Sequence, residues 1–181
     1  MDIRHSRRLV GPAVALALFG LTVGAVAASG ASHASARLVD GAGDQIGWAR
    51  LVEDEAGRVH VNVQVEGLTP GRHGIHLHAV ASCIGPAFTS AGGHHNPLGA
   101  EHGLENPAGA HAGDLPNLRV NAAGRGHLEA VTDRATLSSG PLSLFDRDGS
   151  AIIIHASEDD QVTNPTGNSG ARVACGVIEA R

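Results

Sequence analysis

At 181 residues the chain has the length of one domain plus a targeting segment. Eighteen acidic side chains outnumber thirteen basic ones, giving a formal charge of −5. No run of basic residues offers a stripe, so neither nucleic acid nor an anionic membrane surface is an expected partner. The first eight residues, MDIRHSRR, carry three arginines, and a largely apolar run over residues 9–28 follows, with small residues at Ala25-Val26-Ala27. This is the layout of a secretory signal, residues 1–28. An uncleaved anchor is its alternative. Export would place the body, residues 29–181, in the periplasm or outside the cell, free of the membrane after cleavage. Removing the signal leaves a still more acidic body. Every lysine-or-arginine position is arginine, for which the sequence gives no physical reason.

Apolar and polar residues alternate over 45–53 and 58–66, separated by Asp54-Glu55-Ala56-Gly57, and this predicts an antiparallel hairpin. Thr69-Pro70-Gly71 then turns the chain into a strand carrying His73, His76 and His78. Residues 118–121 and 126–132 flank the turn Ala122-Ala123-Gly124. Asp146-Arg147-Asp148-Gly149 precedes an apolar strand over 150–155, and residues 172–178 form the last strand. About eight short strands with almost no helical period predict an all-β fold, an antiparallel sandwich or barrel. Trp48, Phe88 and Phe145 are the only aromatic rings beyond the signal, so Val, Leu, Ile and Ala must fill the core. Two long connections, residues 79–116 and 156–171, interrupt the strands, and such loops on a rigid scaffold tend to carry function.

Histidines concentrate where those loops meet the strands. On a strand, His76 and His78 leave the same face and can reach one ion. His94, His102, His111 and Asp114 follow in the first loop, and His155 ends the apolar strand. Imidazoles in a tetragonal set suit Cu(II), whereas a tetrahedron of imidazoles and one carboxylate suits Zn(II). Seven ligands are one short of two four-coordinate sites. One imidazole that gives up both ring protons to two cations resolves the count. His73 stands at odd spacing from His76 and His78, and His95 beside His94, so neither joins the ligand set. Cys83 and Cys175 are the only cysteines, and export favours their pairing over two buried thiols.

The strings GRHGIHLHA, AGGHHNP, HAGDLPNL, IIIHA and NSGARVACGVI resemble the copper/zinc superoxide dismutase family in order and nearly in spacing, over essentially all of the chain after about residue 35. The resemblance implies an eight-stranded Greek-key sandwich or barrel with two functional loops. It implies copper on His76, His78, His94 and His155, zinc on His94, His102, His111 and Asp114, and His94 as the bridge. By the same resemblance His73 and Asp159 support the site through hydrogen bonds, and Cys83 pairs with Cys175. Arg172 would guide the small anion superoxide, and the His94 bridge would open and take a proton during conversion to dioxygen and hydrogen peroxide. A non-catalytic metal-binding module on the same scaffold is the rival. The spacing around Cys83 resembles secreted bacterial members, whereas residues 164–170 resemble the animal and plant type, so a homodimer is allowed but its interface is left open. Residues 161–171 carry no charged side chain, which isolates Arg172.

Overall fold

The computed structural model describes Met1 and residues 32–181. The expected signal therefore lies outside the described residues, except for Met1. Among the described residues no helix is long and apolar enough to cross a membrane. The described residues form ten strands: β1 (His33–Asp40), β2 (Gln45–Glu53), β3 (Val59–Val65), β4 (Gly71–His73), β5 (Ile75–His78), β6 (Leu118–Val120), β7 (Gly126–Thr132), β8 (Ala151–His155), β9 (Arg172–Val177) and β10 (Glu179–Ala180). The count exceeds eight because the histidine strand divides at Gly74 into β4 and β5, and because β10 adds a two-residue pairing with β1.

All pairings are antiparallel, in the order β4-β6-β7-β3-β2-β1-β9-β8-β5. The two ends of this path, β4 and β5, are consecutive in the chain, so the sheet closes into a barrel through Gly74 rather than through a ladder. At that corner Gly74 N–H donates to Ser157 O, and Gly74 O accepts from His155 N–H, both at 2.8 Å. The skip from β3 to β7 is the Greek-key step.

The alternation in β3, Val59, Val61, Val63 and Val65 inward with His60 and Gln64 outward, follows from the two-residue period of a pleated strand. These valines join Leu38, Leu51, Leu77, Leu118, Ile152 and Ile154 in an aliphatic core. β8 does not alternate, and all five of its residues are buried. Its second face is covered as well: Ile153 packs with Phe88, Ala91 and Cys175 in a smaller cluster under the first loop. The disulfide Cys83–Cys175, with Cα atoms 5.6 Å apart, fastens that loop to β9.

Candidate metal centre

β5 has β8 on one side, and the first long loop occupies its other edge. Single bridges pair His76 with Asp114 and His78 with His94. Leu77 N–H donates to Gly113 O at 2.9 Å, His95 N–H donates to Leu77 O at 2.8 Å, and Gly113 N–H donates to His95 O at 2.8 Å. Residues 93–95 and 113–114 thus behave as extra strand against β5, which sets His94 and Asp114 beside His76 and His78. Gly113 is required here, because a Cβ would collide with Leu77 O.

Four imidazoles converge in this corner. His76, His78, His94 and His155 each offer a ring nitrogen within 4.8 Å of the others. In each ring the other nitrogen is engaged: His76 Nε2 donates to Asp159 Oδ2 at 2.6 Å, His78 Nδ1 to Gly92 O at 3.0 Å, and His155 Nδ1 to Gly170 O at 3.1 Å. His94 Nδ1 faces Asp114 Oδ1 at 3.0 Å. That leaves His76 Nδ1, His78 Nε2, His94 Nε2 and His155 Nε2 buried with no hydrogen-bond partner. Buried polar atoms without partners are costly and rare. Four lone pairs facing one point, each on a ring oriented from its far side by a carbonyl or carboxylate, are what a metal ion requires of its ligands.

Burial, first of all, pushes the proton off these rings, and the neighbouring imidazoles and Arg172 add to it. His76 falls to about 3, His78 to about 2 and His155 to about 4. They are neutral at physiological pH and ready to bind a cation.

The far nitrogen of His94 belongs to a second cluster. Asp114 Oδ1 lies 3.0 Å from His94 Nδ1, 3.0 Å from His102 Nδ1 and 3.4 Å from His111 Nδ1, and His94 and His111 Nδ1 atoms are 3.2 Å apart. A tetrahedral ion with bonds of about 2.0–2.1 Å needs ligand-to-ligand edges of roughly 3.3–3.4 Å, so this quartet fits zinc. Asp114 Oδ2 is taken by the backbone N–H groups of Gly103 and His111, both at 2.9 Å, which turns Oδ1 toward the three rings. Burial opposes charge on His102, but its hydrogen bonds to Asp114 and Asp159 outweigh burial and raise it to about 9. Burial also resists ionisation of Asp114, yet its histidine and backbone donors hold it well below the usual carboxylate range. His76 also comes within 4.8 Å of His94, His102 and Asp114, but its Nε2 is held by Asp159 and its Nδ1 is one of the four partnerless nitrogens of the first cluster, so His111 completes the quartet better.

Asp159 spans both clusters, accepting from His76 Nε2 on one oxygen and from His102 Nε2 on the other at 3.1 Å. Its neighbours in sequence are exposed and engaged elsewhere: Glu158 pairs with Arg72 at 2.8 Å, and Asp160 caps the turn at Val162 and Thr163. His73 is buried against the outer side of the site, with Nδ1 2.7 Å from His155 O. His95 turns away, burial lowers its pKa, and it belongs to neither group. Arg172 donates to Phe88 O at 2.7 Å and to Gly92 O at 2.6 Å. Gly92 O also accepts from His78 Nδ1, so one carbonyl fixes the guanidinium relative to the four-imidazole cluster.

Two contributors escaped the sequence. Asn117 clamps Asp159 through its backbone, Nδ2 donating to Asp159 O and Oδ1 accepting from Asp159 N–H, each at 2.8 Å. Gly167, at φ 60°, lets the second loop pass so close that a Cβ would collide with Asp159 Oδ1 and crowd His102 Nε2. The position of Asn117, three after Asp114, was the one available hint.

Comparison with known proteins agrees with this geometry. Residues 46–178 match the family described as copper/zinc superoxide dismutase (SODC). The chain is 43% identical to the superoxide dismutase-like protein YojM of Bacillus subtilis, over 78% of this chain and 74% of that one. It is 42% identical to superoxide dismutase [Cu-Zn] 2 of Aquifex aeolicus, over 80% and 85%. A crystal structure of a SOD-like protein from Bacillus subtilis, a double mutant with two histidine replacements, superposes with a TM-score of 0.76 at 43% identity, covering 83% of this chain and 98% of that one. With a closed antiparallel barrel, a loop disulfide and paired histidine clusters already in place, the chain belongs to the copper/zinc superoxide dismutase family, whose cofactors are copper and zinc.

Proposed function

We propose that this protein is an exported superoxide dismutase that converts two superoxide ions and two protons into dioxygen and hydrogen peroxide. In this reading His76, His78, His94 and His155 hold copper, and His94, His102, His111 and Asp114 hold zinc, with His94 shared. The observation that carries it is the set of four buried, partnerless ring nitrogens, one of them on the ring whose other nitrogen faces the second quartet. Copper supplies a one-electron couple when bound, and zinc supplies charge without redox chemistry.

The side chains do the rest. His94 Nε2 is the only one of the four partnerless nitrogens whose ring is held at its far side by a second ligand cluster. It can therefore leave the first cluster, take a proton and deliver it to reduced substrate while its Nδ1 keeps the ring in place. Arg172 offers a fixed positive charge to an anion approaching a protein of charge −5. Asp159, clamped by Asn117, keeps the rings of His76 and His102 in register, and His73 braces the backbone at His155. The disulfide suits an oxidising compartment, and residues 1–28 are read as the export signal.

A non-catalytic metal store is the competing reading, given the similarity to a protein named only superoxide dismutase-like. Arg172 separates the two, because a store has no use for an anion guide. Pulse radiolysis of the copper- and zinc-loaded protein is expected to show catalytic superoxide decay, slowed and less salt-dependent in Arg172→Ala at unchanged metal content. No catalysed decay with both metals bound would leave the store.

A further inference from the structure

The strand register assembles a surface that the linear sequence conceals. Direct cross-strand partners run Arg72–Arg119 from β4 to β6, Arg119–His127 to β7, His127–Gln64 to β3, Gln64–Trp48 to β2 and Trp48–Arg37 to β1. Direct partners share a face, and all six residues are exposed on the outside of the barrel. At about 4.8 Å per strand the row spans roughly 24 Å. Three arginines, a histidine, a glutamine and a tryptophan occupy it, without an acidic residue, on a chain whose formal charge is −5. The linear sequence shows no basic stripe because these residues come from six separate segments.

Arg72 and Arg119 stand directly opposite each other, and Glu158, 2.8 Å from Arg72, offsets the repulsion of like charges so placed. One feature is hard to explain by stability. The single tryptophan is 42% exposed, although the chain has no tyrosine and, beyond the apolar N-terminal run, only Phe88 and Phe145 to fill its interior. Trp48 stands between two hollows of about 580 and 680 Å³. The first also presents Arg50, His60, Asn62 and Glu129, and the second Gln45 and Glu66. Acidic groups flank this side: Glu129 accepts from Asn62 at 3.2 Å and lies 3.5 Å from His127 Nε2, Glu66 pairs with Arg125 at 3.6 Å, and Glu158 pairs with Arg72 at 2.8 Å, so Arg37 and Arg119 are the row's cations without an acidic partner among the described residues.

We propose that this face binds an acidic polysaccharide, independently of the metal chemistry. The indole of Trp48 offers a flat apolar surface to the C–H face of one sugar ring, while Arg37 and Arg119 on either side pair with carboxylates of neighbouring sugars, the geometry for which a guanidinium is suited. At physiological salt the screening length is about 8 Å, so a ligand on the row responds to the row and not to the net charge. Single-stranded nucleic acid fits less well, since its binding surfaces stack successive bases on several aromatic rings and this face has one.

Trp48 is the chain's only tryptophan, so its fluorescence reports the site directly. Titration of the full metal-loaded protein with polygalacturonate is expected to give a saturable change in Trp48 emission that weakens as salt is raised, and neutral dextran is expected to give none. Arg37→Gln with Arg119→Gln should weaken the apparent Kd at least tenfold while superoxide turnover and thermal midpoint stay at the parent values. An unchanged emission with no cosedimentation, equal binding by the double variant, or tighter binding of oligothymidylate than of polygalacturonate would each overturn the proposal.

Discussion

At the scale of single residues the metal centre is a set of opposed protonation preferences. An unfolded histidine titrates near 6.5, whereas in the folded, metal-free protein burial lowers His76 to about 3, His78 to about 2 and His155 to about 4. Between those values and 6.5 the unfolded chain binds more protons than the folded one, so stability rises with pH across that window. His102, raised to about 9 by Asp114 and Asp159 against the effect of burial, acts in the opposite sense. Its contribution is complete below about 6.5 and is lost as pH climbs through about 9. Calorimetry of the chelator-treated protein should therefore show a thermal midpoint that peaks near pH 6.5 and declines on both sides, with the acid side steeper because these three rings and His95 and His111, which burial also lowers, act together. A flat profile between pH 4.5 and 6.5 would contradict the burial of these rings. Gly167 gives a second test. Alanine there meets a left-handed backbone, a cost of about 1–2 kcal/mol, and drives its Cβ against the Asp159 carboxylate. Zinc is expected to drop below one equivalent in Gly167→Ala while copper stays near one, as read by elemental analysis; full zinc retention would mean that the loop yields.

Individual elements explain which parts of the fold were legible. β3 was readable because valines alternate with polar residues, the direct imprint of one buried face, whereas β2 and β7 alternate less cleanly, with Trp48 and Val131 on the outer face. β1 was not readable. Its inward positions include Ala34 and Ala36, too small to stand out from the apolar, alanine-rich sequence before them. The break at Gly74 was also hidden, since its flanking residues His73 and Ile75 are both buried and neither is a turn residue. The segment after β7 likewise gave no signal, yet Glu53 at the end of β2 organises it: Leu137 N–H and Ser138 N–H donate to Oε2 at 2.8 and 2.6 Å, and Ser138 Oγ donates to Oε1 at 2.7 Å. An amide cannot accept on both arms, so Glu53→Gln leaves at least one donor unmatched, at about 1–3 kcal/mol. For a domain of this size that is a fall in Tm of several degrees, measurable by calorimetry with metal content unchanged. An unaltered midpoint would show that water replaces the carboxylate.

Across the whole molecule, the proposed ligand side chains were legible because the spacing of His76 and His78 in a strand fixes their common side, because His94, His111, Asp114 and His155 sit in strings that resemble a known family, and because His102 falls between two of those strings. Contacts that depend on tertiary closure were not: Asn117 meets Asp159 across 42 positions, and the arginine row exists only once six strands are in register. The disulfide belongs to this scale as well. Cys83 and Cys175 are 92 positions apart, so their bond closes a loop containing every proposed ligand except His76 and His78. In the chain-entropy account a loop of that length is stabilised by roughly 4–5 kcal/mol. In the native state the bond also pins the first loop to β9, beside Arg172 and under Phe88. Replacing both cysteines with serine is therefore expected to lower stability by several kcal/mol in denaturant titration. The loss should fall on the apo form most, because bound metals join the same loop to β5 and β8 by a second route. Should the apo and metal-loaded forms lose equal stability, cross-link and metal centre would be acting on separate parts of the barrel, and the first loop would owe its position to the β5 edge alone.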